Sequence, residues 1–354
     1  VVLLLALNNM KPIWYKKEIP TNKNGFKVYS CFACGGGSSF GYKLAGYDVI
    51  GANDIDKQMA EIYQENHHPK YYHLMDIRSL VKEKDLPEEM FNLDILDGSP
   101  PCSTFSLSGK REKAWGEKKK FREGQVEQTL DDLFFDFIDL AKRLQPKIVI
   151  AENVKGLIAG NAQRYVIAIN EAFEKAGYEA QLFLLNGSNM GVPQRRERVF
   201  FIARRKDLKL PKMTLEFNEK PIYFKDIRTD KGLRNPINLK TKMGMMWAHR
   251  IKTDTSLKQV AMRLYNSKSF FGENILHNEQ VPCTIISGSA YYLEDEPYTV
   301  SSNDLIAIQT FPQDYNFIKN SYQFIKYVLG MSVPSIMMAK VAQQVQWQLL
   351  DKIK

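Results

Sequence analysis

Cys102 follows two prolines at the end of an apolar run, in DILDGSPPCSTFS over residues 94–106. Prolines fix φ and hold what comes next in a preset place. A cysteine in such a loop can be a thiolate nucleophile once its surroundings activate it, or a buried structural thiol. Glu152 lies in AENV, residues 151–154, at the end of a second apolar run. A carboxyl there is costly unless paired or protonated. It reads either as an acid presented to a ring nitrogen or as a salt-bridged core carboxylate. Further on, PQRRERVFFIARR (193–205) sets arginines before and after a buried-type strand, and Arg196 and Arg198 share a side if that run is extended. Such a pair suits an anion or a carbonyl better than a plain solvated charge run, because it abuts a core strand.

A further cluster suits a nucleoside. FACGGG, residues 32–37, directly follows the strand-like run FKVYSCF (26–32). Glycines there let the backbone turn tightly and approach a ligand. The spacing is neither that of a phosphate-binding P-loop nor GxGxxG, which argues against a nicotinamide dehydrogenase. Asp54, just past the next strand, could accept both ribose hydroxyls of an adenosine-containing cofactor, and Asp76 could accept an adenine amine. Each could equally be a helix cap or a surface carboxylate. Cys31 and Cys34 form a lone CxxC with no second pair or histidine cluster, so no metal site is expected.

The elements that must position these residues alternate. Strands are expected at 26–32, 47–52, 93–96, 148–151, 182–185 and 199–203. Helices are expected at 39–45, at 57–66 with Asp56 as cap, at 129–144 with Thr129 as N-cap, and at 161–176 closed by Gly177. This order predicts an α/β doubly wound sheet, with ligands beyond the carboxyl ends of its strands, where all the clusters above fall. After residue 206 the segments become short, basic and rich in turn signals, which predicts a second, smaller domain over 206–319. An amphipathic helix at 335–350 is expected to return to the first domain, made of 1–205 plus 320–354.

Composition sets the bounds. The chain has 354 residues, 44% hydrophobic and 25% charged, which excludes a disordered or fibrous protein and suits two domains. No 20-residue apolar window is apparent, so no membrane span is expected. Residues 1–7 are apolar but lack the basic flank of a signal peptide. Four cysteines are too sparse for a disulfide scaffold and suit a reducing compartment. The net charge is +9, and residues 220–268, with twelve Lys/Arg against three Asp, carry an excess as large as that of the whole chain. A polyanionic partner is implied. Residues 109–124 hold seven Lys/Arg and three Glu just after Cys102, a composition that suits a lid closing on phosphates.

Together these motifs resemble the DNA cytosine-5 methyltransferase family of restriction-modification type. FACGGG is similar to its first cofactor motif, GSPPC to its Pro-Cys motif, ENV to its ENV motif, and QRRER to QxRxR. GMSVP (330–334) is similar to GNxxP. The likeness covers 26–205 and about 282–345 in the family's order, and 206–281 falls where the family keeps its variable target recognition domain. The resemblance implies a Rossmann-like, S-adenosylmethionine-dependent methyltransferase sheet with a small target recognition domain. It implies Cys102 as the nucleophile at cytosine C6, Glu152 at N3 and the exocyclic amine, Arg198 at O2, and Arg196 supporting Cys102 or the adjacent backbone. For the cofactor it implies Phe32 against the adenine, Asp54 at the ribose and Asp76 at the adenine amine. Further cofactor contacts fall to Ala33, Gly35, Gly37, Ile55, Ile77, Pro100, Ser332 and Val333, and target contacts to Ser106, Gln194 and Thr284. The implied partners are double-stranded DNA, with the target base flipped out, and a restriction endonuclease acting at the same site without a stable complex. The implied setting is a prokaryotic or phage-encoded cytoplasmic, nucleoid-associated enzyme. Alternatives are a tRNA cytosine-5 methyltransferase of the same fold and an inactive DNA-binding relative. The chain departs from the pattern at Asn303 and Ala307, which take two arginine positions of the motif before FP, at Met331, which replaces Asn in GNxxP, and at Ile55, which replaces a frequent Trp.

Overall fold

Apolar runs of four to nine residues separated by helical segments build one large sheet. Its strands are β1 (Lys27–Cys31), β2 (Asp48–Asp54), β3 (Tyr71–Leu74), β4 (Ile95–Gly98), β5 (Ile148–Val154), β6 (Tyr178–Asn186) and β7 (Glu197–Arg205). They lie in the order β3-β2-β1-β4-β5-β7-β6. The first five in that order are parallel, while β7 runs antiparallel to both β5 and β6. The structure is a computed structural model that describes residues 11–101, 118–119, 128–129, 132–159, 163–267, 270 and 272–353.

The helices of this body are α1 (Gly37–Leu44), α2 (Lys57–His67), α3 (Ile77–Lys82), α4 (Leu133–Leu144) and α5 (Gln163–Lys175). Asp56 caps α2 as expected, accepting from the Gln58 and Met59 amides. Gly177, at φ +94°, follows α5. Helix α4 starts later than expected, with Asp132 ahead of its first turn. Thr129 instead pairs its backbone with Lys118 in a two-residue antiparallel ladder, so it is not the cap.

Strand alternation sorts the core onto two faces. Val28, Ile95, Ile148, Ile150, Phe200 and Ile202 face α1 and the last long helix, α10 (Ser335–Gln348). Tyr29, Leu96, Val149, Ala151, Val199 and Phe201 face α4 and α5. The expected amphipathic character of α10 is corrected: ten of its fourteen residues are buried, because it packs on α1 and is met by the stretch that carries Thr214 and Glu219. Its Lys340 is tolerated inside by an ion pair to Glu219 at 2.6 Å. Helices α1 and α10 cross closely. A Cβ on Gly41 would stand 2.5 Å from Met338 Cβ and 2.6 Å from the Ser335 carbonyl oxygen. The run Tyr322–Lys352 is long and apolar enough by composition to cross a bilayer, contrary to expectation, but its most apolar stretch is 78% buried in the protein.

The smaller domain has its own core of Ile237, Met246, Trp247, Leu257, Val260, Ile275 and Tyr292. Two short helices, α6 (Lys242–Ala248) and α7 (Leu257–Tyr265), pack beside the parallel pair β8 (Glu273–Leu276) and β9 (Ala290–Leu293). The chain rejoins the large core earlier than residue 320. Leu305 and Ile308 of α8 (Ser302–Ile308), with Phe311 and Tyr315, already belong to it.

Candidate active site

The carboxyl ends of β1, β2 and β4 open onto a cleft of about 740 Å³, counting its mouth. The loop after β1 turns through left-handed backbone at Phe32 (φ +53°), Cys34 (φ +46°) and Gly36 (φ +77°). Asp54 holds that turn: one carboxylate oxygen accepts from the Cys34 amide at 2.8 Å and the other from the Asp56 amide at 2.9 Å. Burial pushes its pKa up to about 6, against the pull of those backbone N–H groups. Each oxygen keeps a lone pair, so Asp54 can still accept from a sugar hydroxyl. Asp76 is a helix cap that also faces the cleft: it caps α3 by accepting from the Arg78 amide at 2.7 Å.

Phe32, Asp54, Ile55, Asp76 and Ile77 therefore meet in one place, as expected for a purine nucleoside. Met59, Met75, Leu133 and Tyr327 add to the wall, and Met331 stands there too. Carboxylates at two strand ends with apolar side chains between them fit the adenosine half of S-adenosylmethionine. Pro101 and Ser99 bring the cleft to the threshold of Cys102.

Other expected cofactor contacts lie behind this cleft and do not line it. Gly35 packs under Val328 and Ser332, and a Cβ on Gly37 would fall 2.0 Å from the Val333 carbonyl oxygen. These glycines allow close approach to the end of helix α9 (Tyr322–Met331) and to the turn after it. Ser332 and Val333 are buried in that turn, with the Ser332 hydroxyl donating to the Val328 carbonyl at 2.8 Å. Ala33 is buried against Ala52 and Tyr63. Pro100 is buried too, and its carbonyl accepts from Asn153 Nδ2 at 3.0 Å. Asn153 was missed as a contributor, although its place beside Glu152 in the motif was a signal. It ties β5 to the turn that leads to the cysteine. Cys102 and Ser106 lie outside the described residues.

Glu152 is 7% exposed at the end of β5. Arg198, which faces Val154 across the β5–β7 pairing, reaches diagonally to set its Nε 2.8 Å from Glu152 Oε1. Burial lowers the Arg198 pKa, and the charge of Glu152 works against that. This pair can present a carboxyl and a guanidinium edge together to the rim of a heteroaromatic ring. Arg196 is oriented elsewhere. Its Nη1 donates to the Ile285 carbonyl and its Nη2 to the Ser332 carbonyl, each at 3.0 Å. Among the described residues it supports the 282–285 segment and the turn after α9, not the strand end before Cys102.

Gln194 requires a correction as a target contact. It is fully buried, donates to the Ile308 carbonyl at 3.1 Å and to Gln309 Oε1 at 2.8 Å, and accepts from the Ile285 amide at 3.0 Å. All these bonds are internal. Thr284 donates to the Arg195 carbonyl at 2.7 Å and so fixes the segment beside QRRER. At the departures, Ala307 is fully buried, and Asp304, next to Asn303, accepts from the Thr229 amide and hydroxyl.

The basic segment is less bare than its sequence. Arg228 pairs with Asp230, Asp295 and Glu296, Arg234 with Glu296, and Arg263 with Asp254. Acids from just beyond the segment fold back onto it. Lys231, Lys240 and Lys252 remain exposed, with no ion pair among the described residues.

The profile of the C-5 cytosine-specific DNA methylases matches residues 26–347. Type II methyltransferase M.NgoPII of Neisseria gonorrhoeae is 34% identical over 215 residues, 60% of this chain and 58% of that protein. Type II methyltransferase M.FnuDI of Fusobacterium nucleatum is 28% identical over 93% of this chain and 96% of its own length. A solved prophage protein of E. coli, described as a DNA modification methyltransferase, shares the fold, with a TM-score of 0.64, 22% identity and coverage of 92% of this chain and 100% of its own. The chain belongs to the C-5 cytosine-specific DNA methylases, enzymes that use S-adenosylmethionine to methylate C5 of cytosine in DNA.

Proposed function

We propose that the chain methylates a cytosine flipped out of a specific duplex word, through a covalent adduct on Cys102. The observation that carries this is the Glu152–Arg198 pair. Asn153, next in sequence to Glu152, holds the proline turn whose Ser99 and Pro101 line the nucleoside cleft. C5 of an aromatic cytosine is a poor nucleophile. The Cys102 thiolate adds to C6, which breaks the ring's aromaticity and moves electron density to C5. Glu152 meets N3 and the exocyclic amine and delivers a proton to N3, so the charge created by addition does not stay on the ring. Arg198 keeps that carboxyl aimed and reaches O2. When bound, S-adenosylmethionine supplies, from its sulfonium sulfur, the methyl group that the enriched C5 accepts. Loss of the C5 proton to water, departure of the Cys102 sulfur as thiolate and return of the N3 proton to Glu152 restore the aromatic ring. The stacked base is out of reach inside a duplex, so flipping comes first.

By analogy with the Type II relatives, the chain protects a site that a restriction endonuclease also reads, without a stable complex between the two. It works on chromosomal or phage DNA in the cytoplasm. Cys102→Ala should abolish methyl transfer to duplex DNA while leaving the unfolding midpoint in place. Duplex containing 5-fluorocytosine should trap the wild-type chain covalently. An adduct that persists in Cys102→Ala, or methyl transfer to tRNA and not to duplex, would sink the proposal.

A further inference from the structure

Asp97 has no part in the chemistry above, yet it is a carboxylate 1% exposed in the middle strand of the sheet. One oxygen accepts from Ser30 Oγ of β1 at 2.8 Å, and the other from the Tyr42 hydroxyl of α1 at 3.1 Å. Its strand neighbour Ile95 and its cross-strand partner Ile150 are core residues on the same face. An apolar side chain would sit there without the desolvation a carboxylate suffers. Burial pushes the Asp97 pKa up to about 7, with the hydroxyls of Ser30, Tyr42 and Ser38 drawing it back down and the Glu152 charge adding to the rise.

Its connections explain the placement. Helix α1 begins at the end of the cofactor loop, and Tyr42 is one turn further along it. Strand β4 ends at Gly98 and runs through Ser99, Pro100 and Pro101 into Cys102. On the other face, a Cβ on Gly98 would stand 2.6 Å from the Phe137 ring, so β4 is also backed closely by α4. One side chain thus links the helix that grows out of the cofactor loop to the strand that carries the nucleophile.

We propose that Asp97 is a positioning residue that sets the nucleophile-bearing strand against the cofactor-loop helix, fixing the gap the methyl group must cross. This rests on the role given above to Cys102. Two reactions separate the effects. Without a methyl donor, Cys102 adds to C6, C5 takes a proton from water, tritium leaves C5, and the sulfur departs. That exchange needs the nucleophile and the acid at N3, but not the cofactor. Methyl transfer needs nucleophile and cofactor in register.

Asp97→Asn should slow single-turnover methyl transfer by about tenfold or more at saturating donor and duplex, while tritium release and donor affinity stay within about twofold of wild type. Tyr42→Phe, which keeps the carboxylate and removes one donor, should shift transfer in the same direction by less, and it carries the test if Asp97→Asn does not fold. An equal fall in exchange and transfer would overturn the proposal, as would unchanged transfer in the folded variants. A wild-type chain that neither exchanges nor methylates would remove the Cys102 assignment itself, and this proposal with it.

Discussion

Asp54 shows how one side chain can have two duties. Its oxygens fix the loop between β1 and α1, and the same oxygens face the nucleoside cleft. Its pKa of about 6 gives a test with a definite sign. Below that pH the free enzyme holds Asp54 protonated, so binding a sugar diol to the carboxylate must expel a proton. Donor affinity should therefore fall as pH drops through about 6, by up to roughly tenfold per unit, and Asp54→Asn should be weaker and flat. Calorimetry across this range checks it, and a flat wild-type profile would remove Asp54 from the cofactor. Fold stability moves the other way. A raised carboxyl pKa favours the folded state most at low pH, and that contribution is lost as pH rises through about 6. Asp54 and Glu152 were legible because each ends an apolar run. Gln194 was not, because a polar residue beside two arginines reads the same whether it turns outward or, as here, into the core.

At the scale of elements, the crossing of α1 and α10 decides how the cofactor loop is backed. Gly41→Val would set a branched Cβ against Met338 and the Ser335 carbonyl. Overpacking of this kind costs about 1–3 kcal/mol, occasionally more. Denaturant unfolding should show that loss, together with weaker donor binding, since α1 springs from the loop. Unchanged stability would mean that α10 gives way freely. Periodicity and caps made α2 and α5 legible. They could not show α10 buried nearly all round, since a sequence shows the apolar stripe but not the second layer that covers the other side. They also could not show that an antiparallel strand, β7, sits between β5 and β6 and so brings Arg198 within reach of Glu152.

Over the whole molecule, charge read along the chain overstates charge on the surface. Arg228, Arg234 and Arg263 of the basic segment are spent on acids of the same domain and Arg250 on backbone carbonyls, leaving exposed lysines such as Lys231, Lys240 and Lys252 for phosphates. Changing these three to Gln should flatten the salt dependence of duplex binding by up to roughly 0.9 per lysine that meets a phosphate. Arg228→Gln should instead lower the melting temperature with that slope preserved. A binding series from low to moderate salt distinguishes them, and an unaltered slope in the lysine variant would move the phosphate contacts elsewhere. The return of the chain has a consequence in time as well as in space. The cofactor loop is braced by the Tyr315 hydroxyl on the Gly35 carbonyl and by the turn at Ser332 and Val333, all made after the recognition domain. A ribosome that has finished the nucleophile and the acid has therefore not yet made a methyltransferase. Activity begins only once the part that chooses the DNA word has been synthesised, so an unfinished chain has no opportunity to mark DNA indiscriminately.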